Sequence, residues 1–155
     1  MAEITYKITY NKADGTSSTD NYAVSSNTAV TLAENSGYSW QQSVYGKTYS
    51  SSTSDFAKAN TNTYDSGTNI ILSDVYGDMS FTAIANKYSV YFNMNGGEGG
   101  QSDALTVTYD AAIPNVSVPT KANSLFLGYF DALNGGTKYY NADGTSAEIW
   151  DKASD

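Results

Sequence analysis

Two stretches of this chain lie 82 positions apart and read as copies of one another, and this constrains the fold more than any single residue. Tyr6-Lys7-Ile8-Thr9-Tyr10-Asn11 aligns with Tyr88-Ser89-Val90-Tyr91-Phe92-Asn93, and at the same offset Gly15 falls on Gly97. An internal repeat implies a small unit used in series. With 155 residues to divide, each copy holds roughly 70–85, enough for one thin core. Units that small usually lean on disulfides, metal or a neighbour. The chain has no Cys and no His, which removes disulfides and the commonest zinc ligands together.

The periodicity is that of β-structure. Ile4, Tyr6, Ile8 and Tyr10 alternate with Thr5, Lys7 and Thr9, which predicts a half-buried strand. Asp14-Gly15 supplies the positive-φ turn of a hairpin. Further strands are expected at 22–24, 29–32, 37–40, 70–72 and 79–85, with Met79, Phe81 and Ala83 on one face. Between Gln41 and Gly67 the pattern gives way to a Ser/Thr/Asn/Tyr-rich stretch, in which Ser54 can cap a short helix over 55–59. In the second copy Tyr88, Val90, Phe92 and Met94 share a face, Asn95-Gly96-Gly97 turns the chain, and Leu105, Val107 and Tyr109 form the next inner face. Pro114 and Pro119 bracket an edge segment. A third strand is expected over Leu125–Phe130, a turn at Asn134-Gly135-Gly136, and a turn or two of helix over 147–152. The first copy is assigned to 1–87 and the second to 88–155, with no Gly/Pro/Ser linker between them.

The second copy is similar to the Listeria–Bacteroides repeat, also called the internalin B-repeat. The similarity rests on Tyr88–Gly97, Leu105-Thr106-Val107-Thr108-Tyr109, Val118-Pro119-Thr120-Lys121, Phe126-Leu127-Gly128-Tyr129-Phe130 and Asn134–Tyr140. The resemblance implies a mainly β, α+β fold of β-grasp type, in two small tandem modules. It also implies an extracellular, bacterial cell-surface location, in proteins where such repeats act as spacers or contribute to adhesion. Tyr129 stands where the family usually has Trp. The family's closing strand is not matched before Asp155, so an exposed sheet edge is expected in the second module. The first copy is a divergent member whose middle, 41–67, has no counterpart and reads as an inserted surface loop. The abrupt start at Met1 is read as a piece of a longer protein whose export signal and anchor lie elsewhere.

Composition narrows the function. Eight Lys and Arg together face 16 Asp and Glu, for a net charge of -8. Such a chain lacks the cationic surface that phosphate backbones require, so neither nucleic acid nor an anionic membrane is an expected partner. No apolar run is long enough to span a bilayer. Without His or Cys, nucleophilic dyads built on either are excluded. The acids are scattered through turns, at Asp14, Asp20, Asp65, Asp74, Asp78, Asp143 and Asp151, where Asp ordinarily bonds nearby amides. No enzyme activity, cofactor or metal is therefore expected. The string Ala-Asp-Gly-Thr-Ser occurs at 13–17 and 142–146; hairpin turns account for it better than calcium loops, whose ligand spacing it lacks. Lys7 and Lys87 have Asn nearby in sequence, which raises an intramolecular Lys–Asn isopeptide bond as an idea without a signature.

Aromatics are abundant: 14 Tyr, 2 Trp and 5 Phe. Trp40, Gln42, Tyr45, Tyr49 and Tyr64 form a candidate ligand-binding cluster, because exposed aromatic rings stack on sugars while amides bind hydroxyls. The competing and preferred reading is that Trp40 is core and the tyrosines cover sheet faces. Three readings follow: a non-enzymatic spacer or adhesion segment, a carbohydrate-binding module acting through that cluster, and adhesion to another protein through an exposed sheet edge. Expected partners are neighbouring repeats and a host or environmental glycan or surface protein.

Overall fold

The structure, a computed structural model, describes residues 5–23, 28–48, 62–71 and 75–154, with backbone alone at 44–48 and 75–76. It divides into two compact units, Met1–Ala85 and Asn86–Asp155. The chain is mainly β. Among the described residues there is no helix, so the α part of the expected α+β class is not found there. The expected helix at 55–59 lies outside the described residues.

The first unit contains β1 (Thr5–Asn11), β2 (Ser17–Ala23), β3 (Ala29–Thr31), β4 (Tyr38–Thr48), β5 (Thr63–Asp65), β6 (Asn69–Ile71) and β7 (Val75–Ala85). Five of them form one sheet in the order β2-β1-β7-β4-β5, while β3 and β6 pair separately. β1 and β2 are an antiparallel hairpin with Tyr6 opposite Tyr22. β1 and β7 run parallel at the centre of the sheet, Ile8 opposite Met79 and Tyr10 opposite Phe81. The ends of the polar stretch at 41–67 are sheet, not an inserted loop: β4 continues through it along β7, and β5 pairs back on β4.

Alternation decides which residues form the core. Ile8, Tyr10, Met79 and Phe81 are buried with Tyr22, Val30, Leu32 and Trp40, whereas Thr82 is exposed. Tyr10 lies with its ring 4.9 Å from that of Trp40 and 5.8 Å from that of Phe81. Such aromatic contacts add to the free energy already gained by removing large rings from water. The Tyr22 hydroxyl closes the sheet end, donating to the Gly77 carbonyl at 2.7 Å and accepting from the Gly77 amide at 3.0 Å.

The second unit contains β8 (Lys87–Val90), β9 (Glu98–Gly99), β10 (Leu105–Thr108), β11 (Pro119–Thr120), β12 (Tyr129–Phe130) and β13 (Lys138–Tyr140). They pair two by two: β8 with β10, β9 with β11, and β12 with β13. Val107, Ile113, Val116, Tyr129, Tyr139, Tyr140 and Trp150 form the core, with Tyr88, Val90 and Phe92 packed against it. Tyr129 fills its expected aromatic site, its ring 4.9 Å from Phe92 and 5.0 Å from Phe126.

Two expectations fail here for identifiable reasons. The third strand contracts from Leu125–Phe130 to Tyr129–Phe130. Gly128 sits at a φ of 133°, and a Cβ there would lie 2.1 Å from the Tyr140 carbonyl; the backbone turns at Gly128 instead of continuing the ladder. The segment 147–152 is not helical. Its backbone groups are engaged across the chain: the Ala147 amide donates to Tyr139, the Trp150 amide to Ala111, and the Trp150 carbonyl accepts from Asp110. Ile149 bridges Ala112. Those partners leave no i→i−4 bonds to make, and they seat Trp150 in the core.

Candidate functional site

The cluster read from the sequence is not an open aromatic strip. Trp40 is 1% exposed and Gln42 2%. The Trp40 Nε1 donates to the Ala33 carbonyl at 2.8 Å, and Gln42 Nε2 lies 3.7 Å from the Met79 sulfur. Tyr64 is half-buried opposite Trp40 on β5, edge-on to Phe81, and its hydroxyl accepts from Asn62. Tyr45 is paired through its backbone with Met79, while Tyr49 lies outside the described residues. Trp40 and Gln42 face inward because β4 alternates beside the buried face of β7, so neither can stack on or bond a ligand. That corrects their assignment as binding residues.

The isopeptide idea fares similarly. Lys7 and Lys87 are both exposed, where that chemistry needs a buried Lys. The two Ala-Asp-Gly-Thr-Ser strings adopt one geometry. Asp14 Oδ1 accepts from the Thr16 amide at 2.8 Å and its hydroxyl at 2.6 Å; Asp143 Oδ1 accepts from Thr145 at 3.0 and 2.6 Å. Those bonds hold both carboxyls below the usual carboxylate range. Among the described residues no group of three or more His, Cys, Asp or Glu could hold a metal.

The feature with the shape of a site is in the second unit. An open groove of about 1320 Å³ runs between residues 89–95 and 124–133, with Tyr139, Tyr140, Trp150 and Lys152 at its base and side. Its rim is apolar and uncovered: Leu125 is 82% exposed, Leu133 84% and Tyr91 76%, with Leu127 and Phe130 also exposed. Contiguous apolar surface of this kind marks interaction sites more often than chance. Sequence reasoning placed Leu125 and Leu127 in a strand; their alternation was the available signal, and the ladder breaks at Gly128.

The charged residues lining the groove are Lys121, Lys152 and Asp131. Lys152 pairs with Asp131 at 2.9 Å, and its Nζ lies 5.5 Å from the centre of the Tyr139 ring. Asp131 lies lower than usual, held by Lys152 and the Thr137 amide; Lys152 is correspondingly raised, first by Asp131. The Tyr139 hydroxyl donates to Asp151, and burial, reinforced by that carboxylate, raises its pKa. Lys121 donates to the Asn95 carbonyl at 2.9 Å, which ties the turn after β8 to the opposite wall. Beneath these lie three buried polar atoms with no hydrogen-bond partner among the described residues: Tyr129 Oη, Tyr140 Oη and Trp150 Nε1. Burial alone pushes Tyr140 up to about 12. Nothing in this arrangement resembles a nucleophile and base. It is an open groove with an apolar rim.

Comparison with known proteins gives one match. The sequence profile of the Listeria-Bacteroides repeat domain matches residues 88–149, which span β8 to β13 and the strip paired with Ala112. No curated protein and no solved structure matches the chain.

Proposed function

We propose that this chain is a non-enzymatic extracellular segment of a bacterial surface protein, acting as a stalk or adhesion region, because the Listeria-Bacteroides repeat domain profile matches residues 88–149 and such repeats occur in bacterial surface proteins. The family match is the observation that carries the reading. The first unit supports it as a divergent companion module. Its central β1–β7 pair is parallel within an otherwise antiparallel sheet, the strand arrangement of a β-grasp sheet. Each unit also opens on a comparable antiparallel pair, Tyr6 with Tyr22 and Tyr88 with Val107. A single residue, Asn86, separates β7 from β8, so little slack chain joins one unit to the next. The net charge of -8 disfavours self-association and contact with anionic surfaces.

The mechanism is mechanical and steric. Repeated modules set how far a distal domain stands from the cell, and their exposed faces offer contacts to neighbours. The test is to display one, two and four copies of the full chain between a bacterial surface anchor and an epitope tag. Antibody and protease access to the tag should rise with copy number. Access independent of copy number would remove the spacer reading. A second reading, adhesion to another protein through a sheet edge, is favoured by the uncovered groove along β8. The carbohydrate reading has lost its stacking residue, since Trp40 is in the core.

A further inference from the structure

The chain enters the first unit on β1 and leaves it on β7, and these two strands are neighbours. In the sheet order β2-β1-β7-β4-β5 they lie side by side, with a further strand on each flank. They run parallel, in register from Ile8 opposite Met79 to Asn11 opposite Thr82. Parallel neighbours put Thr5, at the start of β1, and Ala85, at the finish of β7, at opposite ends of the pair. Tension between those two residues therefore acts along the strands, drawing β1 one way and β7 the other.

Direction decides how hydrogen bonds resist a load. When two strands slide past each other, every bond between them lies across the motion and all must fail together. When the strands are drawn apart from one end, the bonds fail in turn and each carries the load alone. The bonds of a parallel ladder are evenly spaced, so a sliding load is shared along residues 8–11 and 79–82.

The interface is also fastened at both ends. One step before the ladder, the Lys7 amide donates to Asp78 Oδ1 at 2.8 Å. At the other end Asn11 Nδ2 donates to Ser80 Oγ at 3.1 Å and to the Phe81 carbonyl at 3.3 Å. Asp78, Asn11 and Ser80 lie outside the core cluster, yet all three bond across this one interface. On the core side Ile8, Tyr10, Met79 and Phe81 are buried together, with the Tyr10 ring stacked 5.8 Å from Phe81. β2 holds β1 over Thr5–Asn11 and β4 holds β7 over Tyr38–Thr48, so each of the two strands is paired on its far side as well.

We propose that the first unit is a force-bearing clamp. Tension passed along the chain is carried as shear across the β1–β7 interface, with Asp78 and Asn11 fastening its ends, and the unit keeps its folded length under load. This deepens the stalk reading of the proposed function and rests on it, since a spacer that unfolds under tension no longer fixes a distance.

The test loads single molecules of the full chain in optical tweezers, where unfolding under force is governed by the unfolding rate. The chain has no Cys, so paired cysteine substitutions at exposed residues give unique attachment points. Thr5→Cys with Lys87→Cys pulls the first unit along β1 and β7. Ala13→Cys with Lys87→Cys pulls the β1–β2 hairpin off β7 from one end, because Ala13 lies just past the end of β1 that is level with the finish of β7. All three positions are exposed. Unfolding of the first unit releases a contour length of about 280 Å in the first geometry and about 250 Å in the second.

At equal force the first geometry should unfold at least about tenfold more slowly, the effect of losing two or more bonds together instead of one. Asn11→Ala should raise that rate by about three- to tenfold, with an unchanged circular dichroism spectrum. Asp78→Ala, which frees an exposed amide, should raise it less. Equal rates in the two geometries would overturn the proposal, and this comparison needs no substitution at the interface itself. So would a rate in the first geometry that neither Asn11→Ala nor Asp78→Ala changes. A first unit that unfolds readily under load leaves the dependence of tag access on copy number untouched, and loss of that dependence leaves these rates as they are. The clamp and the spacer therefore stand or fall separately.

Discussion

Two buried tyrosines separate a hydroxyl that holds the fold together from one that does not. Tyr22 Oη makes two bonds to the backbone of Gly77, at 2.7 and 3.0 Å, and both residues are buried. Tyr140 Oη is buried with no hydrogen-bond partner among the described residues. Tyr22→Phe therefore strands a buried amide and a buried carbonyl at about 1–3 kcal/mol each, together about 2–4 kcal/mol once partial relaxation is allowed. Tyr140→Phe removes an unsatisfied polar atom and should be neutral or stabilising, within about 0.5 kcal/mol. Urea unfolding followed by tryptophan fluorescence reads each unit separately, because Trp40 lies in the first and Trp150 in the second. A Trp150→Phe background isolates the first unit and a Trp40→Phe background the second. Tyr22→Phe should lower the first unit's midpoint by about 1–3 M at unchanged slope. Equal costs for the two exchanges would show that the Gly77 bonds contribute nothing beyond ring packing, and the reasoning would fail.

The identical turns allow a second contrast. Gly15 and Gly144 share a φ of 82°, yet a Cβ at Gly15 meets nothing within 4 Å and one at Gly144 lies 2.1 Å from the Val116 carbonyl. Gly15→Ala should cost about 1–2 kcal/mol of backbone strain, and Gly144→Ala clearly more, measured by the same unfolding curves. Trp40→Ala should destabilise the first unit by about 3–5 kcal/mol through its cavity, to be checked by the shift in its thermal midpoint. Asp14, Asp131 and Asp143 lie below their ordinary 3.8 in the folded chain. The stability they contribute is present above that value and is lost as pH falls through their lower folded values. Thermal midpoints between pH 6 and pH 2 should therefore fall at the acid end, and Asp143→Asn should flatten the dependence.

How much of this was legible in the sequence follows from how far each determinant reaches along the chain. Ala-Asp-Gly-Thr-Ser forms the same turn at 13–17 and 142–146 because its bonds, Asp Oδ1 to the Thr amide and hydroxyl, close within the string itself. β1, β7 and β10 were readable because one face of each is buried and alternation reports it directly. Leu125–Phe130 alternates equally well, but Gly128 is held against the Tyr140 carbonyl, a residue on another strand. Ala147–Lys152 has a helical look only if Ala111, Asp110 and Tyr139 are out of view. Trp40 is an aromatic residue in a polar neighbourhood, which suggests a surface. Its burial is decided by Tyr10 and by β7, both remote from it in sequence.

The open edge of β8 lies between these cases. The offset of 82 already places Val90–Asn93 on the residues that β7 covers, and Asn93 on the Asn11 that fastens it. That no strand answers it among the described residues, however, is a property of sheet order, and no window of sequence around Tyr91 contains it. A repeat therefore tells more through the difference between its copies than through their likeness. In the first unit β7 covers Ile8–Asn11 in parallel, while in the second the counterpart residues Val90–Asn93 have no paired strand on that side among the described residues.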